Sequence, residues 1–310
     1  KPQKIVSIQE KGPNLVQSYR SLIDNALDGI EYPQNGVIKG ICTGDKSMMT
    51  RETKSLISKA GLSHILAVSG FHIGVISFIP FLFLRSSRNY VRALSVIGMI
   101  VVWIFIAACN FPNSATRAGI MITIAVLSVL FGRTPLPFNA LCLATWIIFF
   151  IYPYSIFQVG TQLSIIATAG ILSIVSTGRF LLLKVPIAAQ ASTSPIIAGT
   201  FGELPIFFLP INIVVSLLIP LLALLIGLGF FHEIFINSAG FLVSICISGL
   251  EFLDQTVPLS FKVLEPHLFF FGSIVVLAWC FSNILPKYFS RILSISSLLT
   301  FFLLVLAWLS

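Results

Sequence analysis

Ten apolar runs recur along this chain, at roughly 62–84, 93–109, 114–131, 140–152, 163–178, 185–201, 206–231, 234–252, 268–285 and 292–310. A helix rises 1.5 Å per residue, so about 20 apolar residues cross a bilayer core, and most of these runs suit one crossing each. With 56% hydrophobic residues, 10% charged residues and a mean hydropathy of +0.99, the composition lies far outside the soluble range. Backbone groups inside lipid must be satisfied within the segment, which selects helices. The fold class is therefore all-α, a polytopic helical membrane protein with about 9–10 transmembrane segments. The run 140–152 is short, and 234–252, ending at Glu251 and Asp254, also suits an interfacial helix. Pro195, Pro205, Pro210 and Pro220 punctuate two runs that also hold Glu203 and Asn212, which reads as interrupted helices lining a cavity.

Residues 1–60 differ in kind and form a polar N-terminal region of short amphipathic helices before the transmembrane domain at 61–310. They hold nine of the nineteen basic and six of the eleven acidic residues. Leu15, Tyr19, Leu22, Ile23 and Ala26 recur at helical spacing, with Gly29 as a stop. Further helices are expected near 35–42 and from about Thr50 to Gly61, separated by a Gly44-Asp45 turn. The chain begins at Lys1 and finishes inside an apolar run, as an excised domain of something longer would. No apolar signal-peptide core precedes Asn14.

Basic residues set the orientation. Arg85, Arg88 and Arg92 place the first loop in the cytoplasm, and alternation brings Arg133, Arg179 with Lys184, and Lys287 with Arg291 to that side. Both termini then face away from the cytoplasm, as do Glu203, Asp254 and Glu265. Between Glu52 and Glu203 there is no Asp or Glu, so a polyanion passing this region meets no fixed like charge. Rarity of acids in spans and basic cytoplasmic loops account for the same pattern.

Three polar clusters interrupt the apolar runs. In the first, His64 to Ile73, ideal helical geometry puts His72 about 80° from His64 and Ser69 about 60° beyond it, while Gly70 and Gly74 form an opposite packing face. The second is Asn113 to Met121, where Ser114, Arg117, Met121 and Ser128 share a stripe and Arg117 is the one arginine inside a span. A central arginine costs about 2.5–3.5 kcal/mol by insertion scales, so it either faces a polar interior or snorkels to an interface. The third cluster places Gln158, Thr161 and Gln162 on one helical face.

Several chemistries are missing. No Walker A loop, GxGxxG turn, HExxH motif or carboxylate cluster is present, and five cysteines show no ligand spacing. No cofactor, metal site or catalytic residue is expected. A Ser69-His72 hydrolase pair is the enzymatic alternative, set against the expectation that two residues three apart on one helix point in adjacent directions.

The segments Gly44-Asp45, Gly61 to Ile73, Ser114 with Arg117, Ala118 and Met121, Gly132-Arg133, Asn139, Pro153, Val159-Gly160, Gln162 to Ser164 and Gly170-Ile171, in this order, resemble the competence domain of the ComEC-type DNA uptake channel family. The likeness covers roughly residues 15–285, with looser agreement at Pro205, Asn212 and Pro220. Gln158 stands where an aspartate is usual, and Thr161 where an aromatic is usual. The resemblance implies an inner-membrane channel passing single-stranded DNA into the cytoplasm during natural transformation, fed by an extracytoplasmic DNA receptor and driven by a separate cytoplasmic ATPase. His64, Ser69, His72, Arg117, Gln158, Gln162 and Asn212 would line the path, and no carboxylate opposes them. Fuller members add an oligonucleotide-binding-fold domain and often a metallo-β-lactamase-like nuclease domain, neither of which this sequence contains. A transporter of a smaller anionic or lipid-linked substrate is the alternative from another class.

Overall fold

The computed structural model describes residues 15–66, 68–78, 88–174, 180–229 and 231–262. Arg85, Arg179, Glu265, Lys287 and Arg291, and the expected spans at 268–285 and 292–310, lie outside them.

Three short helices come first: α1 (Leu15–Ala26), α2 (Gln34–Thr43) and α3 (Arg51–Lys59). Their ends follow local chemistry. Gly44 closes α2 in the left-handed region (φ 75°), donating its N–H to the Gly40 carbonyl at 3.0 Å. Thr50 caps α3 by accepting the Thr53 N–H at 3.2 Å, with Glu52 in the first turn and Lys59 in the last, as the helix dipole favours. These helices lie against the bundle. Ile23, Ile38 and Ile57 share a core with Ile211, Ile236 and Val243 of the last two long helices. Ion pairs add to this packing, Lys39 with Asp24 at 2.6 Å and Lys59 with Asp254 at 3.2 Å.

The bundle continues with α4 (Gly70–Phe78), α5 (Arg88–Ala108), α6 (Asn113–Leu130), α7 (Pro137–Ile151), a 3-10 turn (Pro153–Phe157), α8 (Val159–Ile174), α9 (Leu181–Phe201), α10 (Phe208–Gly229) and α11 (Glu233–Thr256). Within the described residues, 91–108, 113–130, 208–229 and 233–256 are long and apolar enough to cross a membrane. Lipid is as apolar as leucine, so helices here associate through close packing and hydrogen bonds. The α5–α6 contact has both: Trp103 Nε1 donates to Thr123 Oγ1 at 2.9 Å, and a Cβ on Gly119 would meet Ile106 Cδ1 at 2.5 Å. These pairs make α5 and α6 antiparallel. Arg92 and Arg133 therefore lie at one end of the bundle and the α5–α6 corner at the other.

The structure corrects several expectations. The run 62–84 is not one helix, because Gly61 takes a left-handed φ of 77° and residues 62–66 and 68–69 are not helical before α4 begins at Gly70. Hydropathy does not separate a buried turn from a buried helix. The prolines do not break the helices as expected: Pro186 and Pro195 lie within a continuous α9, and Pro210 and Pro220 within α10. The interruption falls between them. Glu203–Pro205 forms strand β1, antiparallel to β2 (Ser260–Lys262), with Glu203 opposite Lys262 and Ser260 donating to Glu203 Oε2 at 2.9 Å. Among the described residues the mainly helical fold thus carries one small sheet. α8 starts at Val159 rather than 163, and α11 is 24 residues long, enough to cross where an interfacial helix was the other expectation.

Candidate functional site

The site is assembled where α4, α6 and α8 begin. Ser69 stands at the N-cap of α4, its carbonyl accepting the Ile73 N–H at 3.2 Å. His72, three residues on, turns back to it. Its Nδ1 accepts the Ser69 backbone N–H at 3.2 Å and lies 2.9 Å from Ser69 Oγ. This is one half of a capping box, with histidine in place of glutamate accepting the N-cap N–H. It corrects the expectation that the two side chains point in adjacent directions, which holds only for residues that are both helical. With Nδ1 accepting, the neutral ring carries its proton on Nε2, which is buried with no partner among the described residues.

α6 holds the turn before α4 in place. Ser114 donates to the Val68 carbonyl at 2.7 Å, and Gly70 comes up against Ala118. One turn further along α6, Arg117 is 4% exposed, so it does not snorkel. Its Nη2 donates to Thr168 Oγ1 of α8 at 3.4 Å, and that hydroxyl in turn donates to the Ser164 carbonyl at 2.8 Å. Arg117 Nε is buried and unpartnered, and among the described residues no carboxylate pairs with the guanidinium. An unsatisfied buried polar group costs about 1–3 kcal/mol, and more when charged, so such a group marks a place where stability is given up for another use.

The third cluster joins the second where α6 begins. Asn113 Nδ2 donates to Gln158 Oε1 at 2.7 Å and to Thr161 Oγ1 at 3.3 Å, while Gln162 Nε2 donates to the Ile156 carbonyl at 2.9 Å. Gln158 precedes α8, so it does not share a helical face with Thr161 and Gln162. Gly44 packs on Val68, and Asp45 closes its turn by accepting the Ser47 N–H at 3.0 Å. That bond, ahead of the more distant Lys39 and Arg20 charges, holds the Asp45 carboxyl below the usual carboxylate range.

Other residues named from the sequence lie apart. His64 is exposed in the turn after α3, its Nδ1 3.2 Å from the Gly61 carbonyl. Gly74 and Gly160 are exposed with open space around them, so Gly74 packs against no described residue. Met121 is half-buried on α6. Asn212 donates to the Phe208 carbonyl of its own helix at 2.7 Å, and α10 packs on α9 and α11. Thr168 was not singled out, although it follows Thr161 by two helical turns, and Asn113 was named only as the first residue of the Arg117 motif.

Two depressions open beside this cluster. One, of about 330 Å³, is lined by Arg20, Gly44, Lys46, Cys109, Asn110 and Pro112. The other, of about 280 Å³, is lined by Asn113, Tyr152, Pro153, Tyr154, Ser155 and Gln158. Among the described residues no group of three or more His, Cys, Asp or Glu side chains is placed to hold a metal.

Comparison with known proteins gives these residues a context. The profile of the family described as "Competence protein" matches residues 41–286. ComE operon protein 3 of Bacillus subtilis (strain 168) is 24% identical over 205 residues, 64% of this chain and 26% of that protein. An Escherichia coli (strain K12) protein described as uncharacterized, YcaI, is 27% identical over 84 residues, 27% of this chain and 11% of that one. The chain therefore spans about a quarter or less of the length of these curated relatives. No solved structure matches.

Proposed function

The chain belongs to the competence protein family, and from that premise we propose that it is the membrane channel through which one strand of DNA passes into the cytoplasm during natural transformation. The observation that carries this reading is Arg117, a buried guanidinium on a membrane helix with no carboxylate partner among the described residues. A single strand brings one charge per phosphate into low dielectric and needs positive charge and donors along its way. Arg117 Nε and His72 Nε2, unpartnered among the described residues, supply them from α6 and α4, joined by the Asn113 and Gln162 amides once their present contacts part. The helices close over Arg117 in this conformation, so transport requires them to part.

Ser69 and His72 act in this reading as a helix cap and path-shaping pair, with no covalent chemistry. Nδ1 is already occupied by the Ser69 backbone N–H, and among the described residues no third group orients the ring through Nε2. The conduit is passive, with both termini outside the cytoplasm, a separate cytoplasmic ATPase as motor and an extracytoplasmic receptor delivering DNA. The testing experiment is uptake of labelled DNA by transformable cells carrying Arg117 variants at matched protein levels. Loss of a charge-assisted phosphate contact is worth roughly 10- to 100-fold, so Arg117→Gln should reduce uptake by that order while Arg117→Lys retains more. Wild-type uptake by Arg117→Gln would refute the reading. In proteoliposomes, passage of small anions with exclusion of single-stranded DNA would favour the smaller-substrate transporter instead.

A further inference from the structure

The two depressions meet at a single corner. Asn110 and Pro112 line the first and Asn113 the second, so the α5–α6 connection is the ridge between them. The two sides differ chemically. On one, Arg20 and Lys46 are half-buried, and neither makes an ion pair among the described residues; the Asp45 carboxylate beside them is engaged by the Ser47 N–H. On the other, Tyr152 and Tyr154 are 56% and 83% exposed beside the Asn113–Gln158 amide pair. The ridge itself is strained: Asn110 and Phe111 both adopt left-handed backbone (φ 63° and 51°), and this holds the Phe111 ring 49% exposed. A bulky L residue rarely takes that conformation without a use for it.

We propose that this corner is a docking platform for single-stranded DNA at the outer mouth of the channel. Arg20 and Lys46 take phosphates on one side, while Phe111, Tyr152 and Tyr154 stack bases on the other. The inference rests on the channel reading above and extends it to a site outside the Arg117 cluster. The chemistry fits a single strand better than a duplex, whose bases are already stacked, or a lipid headgroup, which brings phosphate but no base. Aromatic rings of this kind also suit a membrane interface, and that use predicts no preference for bases.

The experiment measures binding of fluorescent oligothymidylate, and of an abasic strand of equal length, to the full-length protein in phosphatidylcholine nanodiscs. Base stacking makes the wild type prefer oligothymidylate by roughly tenfold for each ring engaged. Tyr152→Leu with Tyr154→Leu should cut that preference to the share of Phe111, roughly tenfold, and leave abasic binding unchanged. Arg20→Gln with Lys46→Gln should weaken both strands by a similar factor and flatten the salt dependence. Arg20→Lys with Lys46→Arg, which keeps the charge, should bind like wild type and so separates charge from folding.

Equal wild-type affinity for the two strands would overturn the platform, as would wild-type binding by both neutralised and leucine variants. Leucine variants that lose only incorporation into nanodiscs would likewise overturn it, in favour of a membrane belt. Arg117→Gln should bind normally in this assay. Full uptake by Arg117→Gln would therefore defeat the channel reading while leaving this result standing, whereas mouth variants that bind like wild type would defeat the platform alone.

Discussion

Ser69 Oγ lies 2.9 Å from His72 Nδ1 because the chain is not yet helical at Ser69, and the hydroxyl, the backbone N–H and the ring converge on one nitrogen. A nucleophile-and-base pair looks similar in outline. Here the ring satisfies one backbone donor at the start of α4, the Ser69 N–H.

Substitutions separate the two uses. Glutamine reproduces both the acceptor and the distal donor of the ring, so His72→Gln should keep substantial DNA uptake, whereas His72→Leu should lose it along with the cap. Ser69→Ala should cost about 1 kcal/mol of stability and leave most transport intact. Thermal denaturation in detergent and uptake in cells measure the two effects. Complete loss of uptake in Ser69→Ala, together with labelling of wild-type Ser69 by a serine-reactive probe, would restore the hydrolase.

Packing of α5 on α6 depends on Gly119, where an added Cβ would run into Ile106 Cδ1. Gly119→Val should destabilise the protein by about 1–3 kcal/mol through overpacking. Trimming the neighbour in Gly119→Val/Ile106→Ala should recover part of it, since residues in contact do not add independently. Strict additivity of the two substitutions would show that these helices do not meet there.

Asp45 gives a pH signature. Its carboxyl is held below the ordinary range by the Ser47 N–H, so its contribution to stability is complete above the unfolded pKa, about 3.9, and is lost as pH falls through the lower folded value. Asp45→Asn should therefore be less stable than wild type at neutral pH, with the gap closing on acidification below that range. Melting curves of the two proteins from neutral to acid pH test this. A gap that widens in acid would reverse the sign and contradict the assignment.

Orientation is open to labelling. Arg133 and the Tyr152–Tyr154 turn lie at opposite ends of the bundle, and the basic end is expected in the cytoplasm. In intact cells a membrane-impermeant maleimide should modify Tyr154→Cys and spare Arg133→Cys. The opposite pattern would invert the topology and put the docking platform on the wrong side for incoming DNA.

Elements with strong local punctuation were legible in the sequence. Gly44 and Thr50 set the ends of α2 and α3 through contacts within a few residues, and α5 and α6 follow two apolar runs separated by a corner. The non-helical stretch at 62–66 and 68–69 was hidden, because its buried leucines, isoleucine and valine carry the hydropathy of a span while Gly61 ends the helix. The strand pair was hidden too, since Glu203–Pro205 finds its hydrogen bonds at Ser260–Lys262 in a distant part of the chain. In the site, residue types revealed Arg117, Ser69 and His72. The pairings of Asn113 with Gln158 and of Arg117 with Thr168 did not emerge, because they join residues 45 and 51 positions apart.

Passage of a DNA strand beside Arg117 is the central claim, and photocrosslinking during uptake tests it most directly. A photoreactive residue at Ser164, on α8 next to the Arg117–Thr168 contact, is compared with one at Ile104, which is 56% exposed on α5. The expected result is a crosslink to incoming single-stranded DNA from position 164, present only while uptake proceeds and absent from position 104. No crosslink at 164 in cells that are taking up DNA, or equal crosslinking at both positions, would contradict it.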